Sequence, residues 1–289
     1  MPTTVVTMFF ALRDFPDATP SVRPTEFYLD KGRATLALPY PMVIFCDENT
    51  KPLIEPLRPA GLDTTYVVRK LTDYEFFQTL WPVIRKNRET MESPDPRNTS
   101  SYFLLCVFKF IAMKIAKDVS PADTYAWIDF GGSHVLRDFD GAARRMLDRP
   151  RPKFACCLIR YRSEHEMYPI KEKWGLAGEC GIGGTAFTIE SDYVEKVCFH
   201  IMSLLYKHVA IGVGHSDEQL ITYLWREQPD LFSLYYGDYQ SILTNYHETV
   251  TDHISVWNNI IHIASANGDH TLASHIVSTL TDKFIDSSS

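Results

Sequence analysis

In the segment DTYAWIDFGG (residues 123–132), an apolar run ends at Asp129, and the glycines Gly131 and Gly132 follow closely. A carboxylate at the end of a buried strand can hold a divalent cation, and such a cation can bridge a diphosphate. The two glycines would let a bulky ligand approach the backbone. In the structural alternative, Asp129 caps a turn that the glycines shape. The residue pattern alone does not separate these two interpretations.

Two basic residues lie where an anion could use them. Lys109 is surrounded by apolar residues in the segment FKFI, and Arg69 closes the β-branched segment TTYVVRK. Burying an ammonium group without a partner is costly, so Lys109 either extends its charged end to solvent or meets an anion such as a phosphate. The same two interpretations apply to Arg69.

An acidic pair, Asp217 and Glu218, occurs in the segment GHSDEQ (214–219), where a helix is expected to begin. Acidic residues in a first helical turn are stabilised by the helix dipole, which is a sufficient structural explanation. The functional alternative is a general base that removes a proton from an acceptor hydroxyl.

The glycine-rich segment GIGGTAF (181–187) could form a pocket wall in which the backbone approaches a substrate, or it could mark a β-bulge. Three histidines could contact a metal or a phosphate, and each could equally be structural: His134, His215 and His247. The GxSxG, Walker A and GxGxxG patterns are absent, which argues against a serine hydrolase, a P-loop enzyme or a simple dinucleotide-binding protein.

The composition is that of a soluble globular protein. The 289 residues are 45% hydrophobic and 22% charged, with a net charge of −7, so the basic excess of a nucleic-acid-binding protein is missing. The six cysteines form no CxxC pair, which favours a reducing, cytoplasmic location. No apolar stretch is long enough for a membrane span, and the N-terminus is predicted to be a strand and not a signal peptide.

The elements that must position these residues alternate between strand and helix. Strands are predicted at 3–12, 40–47, 64–70, 124–129, 152–161, within 179–190 and at 230–236, and helices at 73–86, 100–117, 192–208, from 216 onward and twice after 252. Residues 13–39 are predicted to form a long excursion, and Asp192 with Glu195 a capping box. This alternation predicts an α/β fold with a mainly parallel sheet. In such a sheet, ligands bind beyond the carboxyl ends of the strands.

The order of these segments resembles the HtrL/YibB-like family of glycosyltransferases, whose members are related to nucleotide-sugar enzymes of the GT-A fold. The similarity covers roughly residues 3–247, and its most specific parts are WIDFG and GHSDEQLITYLWREQPDLF. It implies a GT-A-like αβα sandwich with a mainly parallel central sheet and C-terminal helices. The chain is also similar to glycosyltransferases encoded by large DNA viruses.

The resemblance also implies a role for individual residues. Thr7, Phe9, Phe10 and Asp47 would surround the nucleoside of the donor. Arg69 and Lys109 would face its diphosphate, with Gly131 and His215 also at the donor. Gly183 and Gly184 would line the donor sugar or the acceptor. Asp129 stands at the carboxylate of the family's DxD motif, and His247 at a late ligand of the metal or the diphosphate. Asp217 or Glu218 stands at the acidic position that serves as the general base in inverting enzymes, with Asp217 preferred, or that contacts the sugar in retaining ones.

The sequence departs from the DxD motif because Gly131 stands at its third position. Mn²⁺ or Mg²⁺ is therefore expected as a cofactor only if one carboxylate, with phosphates, water and His247, can hold it. The alternative is that Lys109 and Arg69 offset the charge of the leaving group without a metal.

The predicted function is transfer of a sugar from a nucleotide sugar, UDP-linked by resemblance, to a hydroxyl of a glycan or glycoprotein. Two rival functions stay open: a sugar nucleotidyltransferase on a related scaffold, and a non-catalytic module that binds nucleotides or glycans. Residues 1–248 are predicted to form the GT-A-like domain, with residues 249–289 packed on it as a helical appendage.

Overall fold

The computed structural model describes residues 3–89, 98–160, 167, 181–213, 216–247 and 254–286. Its strands are β1 (Thr3–Met8), β2 (Met42–Cys46), β3 (Thr64–Val68), β4 (Thr124–Ile128), β5 (Phe154–Leu158), β6 (Ala186–Glu190) and β7 (Phe232–Tyr236). Its α-helices are α1 (Thr25–Leu36), α2 (Lys51–Ile54), α3 (Glu75–Arg88), α4 (Ser100–Val119), α5 (Phe139–Asp148), α6 (Ser191–Ala210), α7 (Asp217–Glu227), α8 (Ile254–Ala266) and α9 (His270–Asp286). Short 3-10 helices lie at Leu12–Asp14, Glu55–Leu57, Leu71–Asp73, Gly132–His134 and Pro229–Leu231.

The strands form one sheet in the order β3-β2-β1-β4-β6-β5-β7. β1 pairs in parallel with both β2 and β4, β2 pairs in parallel with β3, and β5 with β7. The five inner strands are nearly continuous runs of buried residues, as expected for a sheet covered on both faces, whereas the edge strands β3 and β7 are partly exposed. The predicted α/β fold with a mainly parallel central sheet, helices on its faces and C-terminal helices is confirmed.

β6 is antiparallel to both of its neighbours, β4 and β5. Ile128 at the end of β4 therefore pairs with Ala186 at the start of β6. The reversed strand thus brings the glycine-rich segment that precedes it to the edge where the parallel strands end. A parallel strand would have carried that segment to the opposite edge.

Two long helices cover one face of the sheet. The side chain of Thr99 caps α4 by accepting a hydrogen bond from the backbone N–H of Tyr102 (3.2 Å). The helix is apolar nearly all round, and its packing against α3 and α6 buries most of its length. α6, predicted at 192–208, buries an apolar stripe from Val194 to Val209.

Other sequence predictions need correction. The excursion at 13–39 contains α1, whose weak amphipathicity gave no helical stripe to detect. The capping box at Asp192 and Glu195 is wrong, because α6 already begins at Ser191 and no side chain caps it. α5 was not predicted, although Ala142, Ala143 and Met146 form its buried face.

The two C-terminal helices form a hairpin with its own apolar cluster of Val256, Trp257, Ile260 and Ile276. Asn259 ties this hairpin to the sheet, because its side-chain amide donates to the carbonyl oxygens of Gly237 (2.8 Å) and Ile159 (3.3 Å). The two helices on either side of Asn267-Gly268 are confirmed. The division of the chain at residue 248 stays a prediction.

Within the described ranges, no helix has the length and apolar character needed to cross a membrane. The described cysteines are free thiols, and Cys180 lies outside the described residues. The cytoplasmic location stays a prediction.

Gly32 lets α1 pack closely against Phe130, in the loop that follows β4. A Cβ atom at this position would collide with the ring of Phe130, whose carbonyl oxygen accepts a hydrogen bond from the Thr35 hydroxyl (3.0 Å). Gly32→Ala should therefore destabilise the protein by about 1–3 kcal/mol, although the same change in an unconstrained helix stabilises it by about 0.5–1 kcal/mol. Thermal or urea unfolding measures the sign, and Arg33→Ala at the exposed neighbouring position is the control. A stabilised Gly32→Ala would contradict this packing.

Candidate active site

A cavity of about 470 Å³ opens at the carboxyl edge of the parallel strands. Its walls come from the end of β1 with the chain after it, the end of β4 with the loop that follows, the segment just before β6, and the helices α1, α4 and α7. This is the position at which open α/β sheets bind ligands.

One face of α4 forms a wall of this cavity. Tyr102, Cys106 and Lys109 line it at intervals of four and three residues, the spacing that places side chains on one side of a helix. Lys109 is 3% exposed. Helix α4 therefore places a buried ammonium group among the side chains that form this cavity wall.

Three acceptors surround the Lys109 ammonium. Its Nζ lies 2.5 Å from Asp217 Oδ2, 3.5 Å from Asp129 Oδ1 and 2.8 Å from the carbonyl oxygen of Gly184. The same Nζ lies 5.4 Å from the centre of the Trp127 ring. Lys109 thus joins α4, β4, α7 and the segment before β6 at a single point.

The WID motif orients its aspartate. Trp127 and Asp129 are two residues apart on an extended chain, so their side chains share one face of the sheet. The indole Nε1–H of Trp127 donates to Asp129 Oδ1 (2.7 Å), and the backbone N–H of Asp129 donates to the carbonyl oxygen of Thr185 (2.8 Å). This explains why the apolar run ends in a carboxylate: the strand delivers Asp129 to Lys109 at the cavity.

Asp217 and Glu218 enter the cavity from the first turn of α7, whose N-cap is Ser216. Asp217 is 3% exposed and is held against Lys109. Glu218 lies beside it and accepts a hydrogen bond from the backbone N–H of Gly184 (3.1 Å). A Cβ atom on Gly184 would overlap the Asp217 carboxylate, so only glycine permits this close packing.

The pKa values of these groups reflect a crowded acidic environment. Burial alone would lower the pKa of Lys109, but the carboxylates of Asp129 and Asp217 raise it above its ordinary value. Burial raises the pKa of Asp129 against the opposing effect of Lys109. Burial and the neighbouring charge of Asp217 raise the pKa of Glu218 to about 7, where a carboxyl group can exchange protons near neutral pH.

The structure brings together many of the residues singled out from the sequence. Those that line the cavity are Phe9, Phe10, Lys109, Asp129, Gly131, Gly132, His134, Gly184, Asp217 and Glu218. They come from segments up to 209 residues apart in the chain (Phe9 to Glu218). His215 lies outside the described residues.

Other predicted residues lie elsewhere. Thr7 is fully buried within β1, and Gly183 packs beside Ile242. Arg69 donates to the carbonyl oxygen of Asp73 and stacks on Tyr74 at 4.4 Å. The imidazole Nε2 of His247 lies 3.1 Å from the carbonyl oxygen of Arg145. The structure does not bring any of these four predicted residues into the cavity lining.

Asp47 lines a second cavity, of about 240 Å³, with residues that follow β1 and β3. Its Oδ1 accepts hydrogen bonds from the backbone N–H groups of Asn49 (3.0 Å) and Thr50 (2.8 Å), so it shapes the turn after β2. Phe10 lines both cavities, which therefore adjoin.

The described side chains at the larger cavity are not grouped as metal ligands. Among the described residues, no group of three or more His, Cys, Asp or Glu side chains is arranged to hold a metal ion. Asp129 Oδ1 already meets Lys109 and Trp127, and His247 does not line the cavity. We therefore assign no step to a divalent cation.

Several cavity residues were not singled out in the sequence. Arg23 and Tyr28 come from the segment that includes α1, and Tyr239 follows β7. The Thr185 hydroxyl donates to the Tyr239 hydroxyl (2.9 Å) at the cavity edge. The helical spacing of Tyr102 and Cys106 relative to Lys109, and the position of Tyr239 just past a strand end, were signals that could have identified these three residues.

No protein-family model and no curated protein sequence matches the chain. Among solved structures, mouse xyloside xylosyltransferase 1 in its apo form is similar at 12% identity and a TM-score of 0.44, over 80% of this chain and 83% of that chain. Rv0371c from Mycobacterium tuberculosis H37Rv is similar at 11% identity and a TM-score of 0.37, over 91% of this chain and 96% of that chain. Its complex with manganese is similar at 11% identity and a TM-score of 0.37, over 82% and 88%. We base the function on the cavity itself.

Removing the shared cation should destabilise the protein in a pH-dependent way. Lys109→Met leaves two carboxylates facing each other without compensation, and breaking a buried pair costs about 3–5 kcal/mol. The loss should be largest at pH 8 and smaller at pH 5, because the pKa values of the neighbouring Asp129 and Glu218 are raised by burial, so these groups take up protons as the pH falls and relieve the repulsion. Urea unfolding at both pH values measures it.

Two further variants test this interpretation. Adding Asp217→Asn to Lys109→Met should recover much of the stability at pH 8, since it removes one of the opposing charges. Lys114→Met, at an exposed position of the same helix, should change stability by less than about 0.5 kcal/mol. A pH-independent loss in Lys109→Met would mean that the ammonium acts by packing alone.

Proposed function

We propose that this protein is a glycosyltransferase that moves a sugar from a nucleotide-sugar donor to a hydroxyl group of a glycan. The observation that carries the proposal is the position of the Glu218 carboxyl group. It faces a cavity large enough for a sugar, at the ligand-binding edge of the sheet, with a pKa raised to about 7.

The two adjoining cavities suit a donor with two parts. The smaller one, beyond β1, β2 and β3, would take the nucleoside, and Asp47 lies in its lining as the resemblance implies. The larger one would take the sugar and the acceptor. Phe10 stands at their junction, where the diphosphate of the donor would pass. The resemblance favours a UDP-sugar.

In the proposed reaction, the bond between the anomeric carbon and the diphosphate oxygen breaks, and a bond from the acceptor oxygen to that carbon forms. The acceptor proton passes to Glu218, and the nucleoside diphosphate leaves with the electron pair of the broken bond. The base must be within hydrogen-bond reach of the acceptor hydroxyl.

We assign the base to Glu218 in preference to Asp217, the residue that the sequence favoured. Asp217 is almost fully buried, and its Oδ2 lies 2.5 Å from the Lys109 ammonium. It is a positioning residue in this proposal: its charge fixes Lys109 and raises the pKa of Glu218. Glu218, by contrast, accepts hydrogen bonds from the neutral Gly184 N–H (3.1 Å) and the Tyr239 side chain and is not held by the Lys109 ammonium.

Turnover tests the proposal. The protein is incubated with a panel of nucleotide sugars, with Mn²⁺ and separately with EDTA, and the released products are measured. A glycosyltransferase releases a nucleoside diphosphate, a nucleotidyltransferase releases pyrophosphate, and a binding module releases neither. Glu218→Gln should lower the rate by about 100-fold or more, whereas Glu227→Gln, at the exposed end of the same helix, should retain it. Wild-type rates in a folded Glu218→Gln would contradict the assignment.

The pH profile gives a second, independent prediction. A base with a pKa near 7 is active when deprotonated, so kcat/KM should rise about tenfold per pH unit below 7 and level off above it. Asp217→Asn should move the midpoint to lower pH, because the Asp217 charge helps to raise the pKa of Glu218. A midpoint that stays in place in Asp217→Asn would show that the rising limb belongs to another group.

A further inference from the structure

The cavity contains an acidic cluster, so it can bind a diphosphate only if a positive charge elsewhere in the cavity offsets that cluster. Lys109 is accompanied by three carboxyl groups, those of Asp129, Asp217 and Glu218. With Glu218 ionised, the cluster carries a net charge of −2. Such a cluster repels the phosphates of a nucleotide.

Lys109 has little capacity left for a phosphate. A lysine ammonium has three N–H donors, and Lys109 already has three acceptors within 3.5 Å, on Gly184, Asp217 and Asp129. Binding a phosphate here would require it to give up one of these buried contacts. Arg69, the other cation that the resemblance assigned to the diphosphate, does not line the cavity.

Arg23 lines the same cavity and, unlike Lys109, is not surrounded by carboxylates of the described residues. Its guanidinium lies 4.7 Å from the centre of the Phe27 ring, and its Nη1 lies 2.8 Å from His134 Nε2. His134 Nδ1 lies 2.5 Å from the carbonyl oxygen of Gly131. Because Nδ1 must then donate, Nε2 is the acceptor for Arg23. The Phe27 ring and the His134 imidazole together hold the Arg23 guanidinium in place.

The charge of Arg23 is not offset within the described part of the chain, where it forms no ion pair. A guanidinium offers five N–H groups, and the described residues supply a hydrogen-bond acceptor for one nitrogen of Arg23. Its planar fork matches two phosphate oxygens at once. Lys31 adds a second positive charge nearby, 6.0 Å from the same Phe27 ring, although it is paired with Asp30.

We propose that Arg23 binds the diphosphate of the nucleotide donor, with Phe27 and His134 as its positioning residues. This inference rests on the proposed function and adds a donor-binding residue to it. The carboxylate cluster would then serve the sugar and the acceptor, and the opposite charge on the Arg23 side would hold the leaving group.

The test compares how wild type, Arg23→Gln and Arg33→Gln bind UDP and UMP by isothermal titration calorimetry. Arg33 is the matched control, because it is an exposed arginine of α1 that does not line the cavity. Wild type should bind UDP at least ten times more tightly than UMP, since the second phosphate adds charge and acceptors for Arg23. In Arg23→Gln that ratio should fall below three, and in Arg33→Gln it should be unchanged.

The UDP-to-UMP ratio separates phosphate recognition from damage to the fold, which weakens both nucleotides alike. Arg23→Lys, which keeps the charge but loses the planar fork, should give an intermediate ratio. An unchanged ratio in Arg23→Gln overturns the inference, and so does a wild type that binds no UDP. If UDP binds through Arg23 but no donor sugar is ever transferred, the proposed function fails and the anion site stands. If sugar transfer occurs and Arg23→Gln keeps the wild-type KM for the donor, the site fails and the function stands.

Discussion

The cavity depends on one buried ammonium group. Lys109 reaches from the middle of α4 and meets a strand end, a helix start and a main-chain carbonyl within 3.5 Å. Desolvating a charge is costly unless close partners replace the lost water. The positions of the three elements are therefore not independent, because moving any one of them would leave Lys109 or a carboxylate without its partner. The site is built around this cation.

The same arrangement assigns different environments to neighbouring carboxyl groups. Asp217 is buried against Lys109, whereas Glu218, the next residue, is turned to the glycine backbone and the cavity. Adjacent positions in a helix point about 100° apart, so one helical turn can present one acid to a structural partner and another to a ligand. The raised pKa of Glu218 follows first from its burial and then from this proximity, because the charge of Asp217 opposes its ionisation.

The sequence predicted the sheet well because its strands are β-branched, apolar and buried on both faces. It also located Lys109, Asp129 and the acidic pair, since charged residues beside apolar runs are conspicuous. It could not show that Lys109 joins the acids, because that contact spans 108 residues from Lys109 to Asp217. Arg23 was missed because its segment, rich in proline and charge, has the composition of an ordinary surface loop and carries no helical stripe before α1.

Because β6 is antiparallel, one wall of the cavity is glycine backbone, and the two walls therefore differ in how well they tolerate substitutions. On the β6 side, the ligand meets glycine backbone that has no room for a side chain, and the acids there are tied to Lys109. On the α1 side, the wall consists of side chains such as Arg23 and Tyr28, carried by a segment whose packing leaves them partly exposed. Changes in ligand preference would therefore accumulate on the α1 wall. An engineer seeking to alter which ligand the cavity accepts would begin there and leave the glycine wall intact.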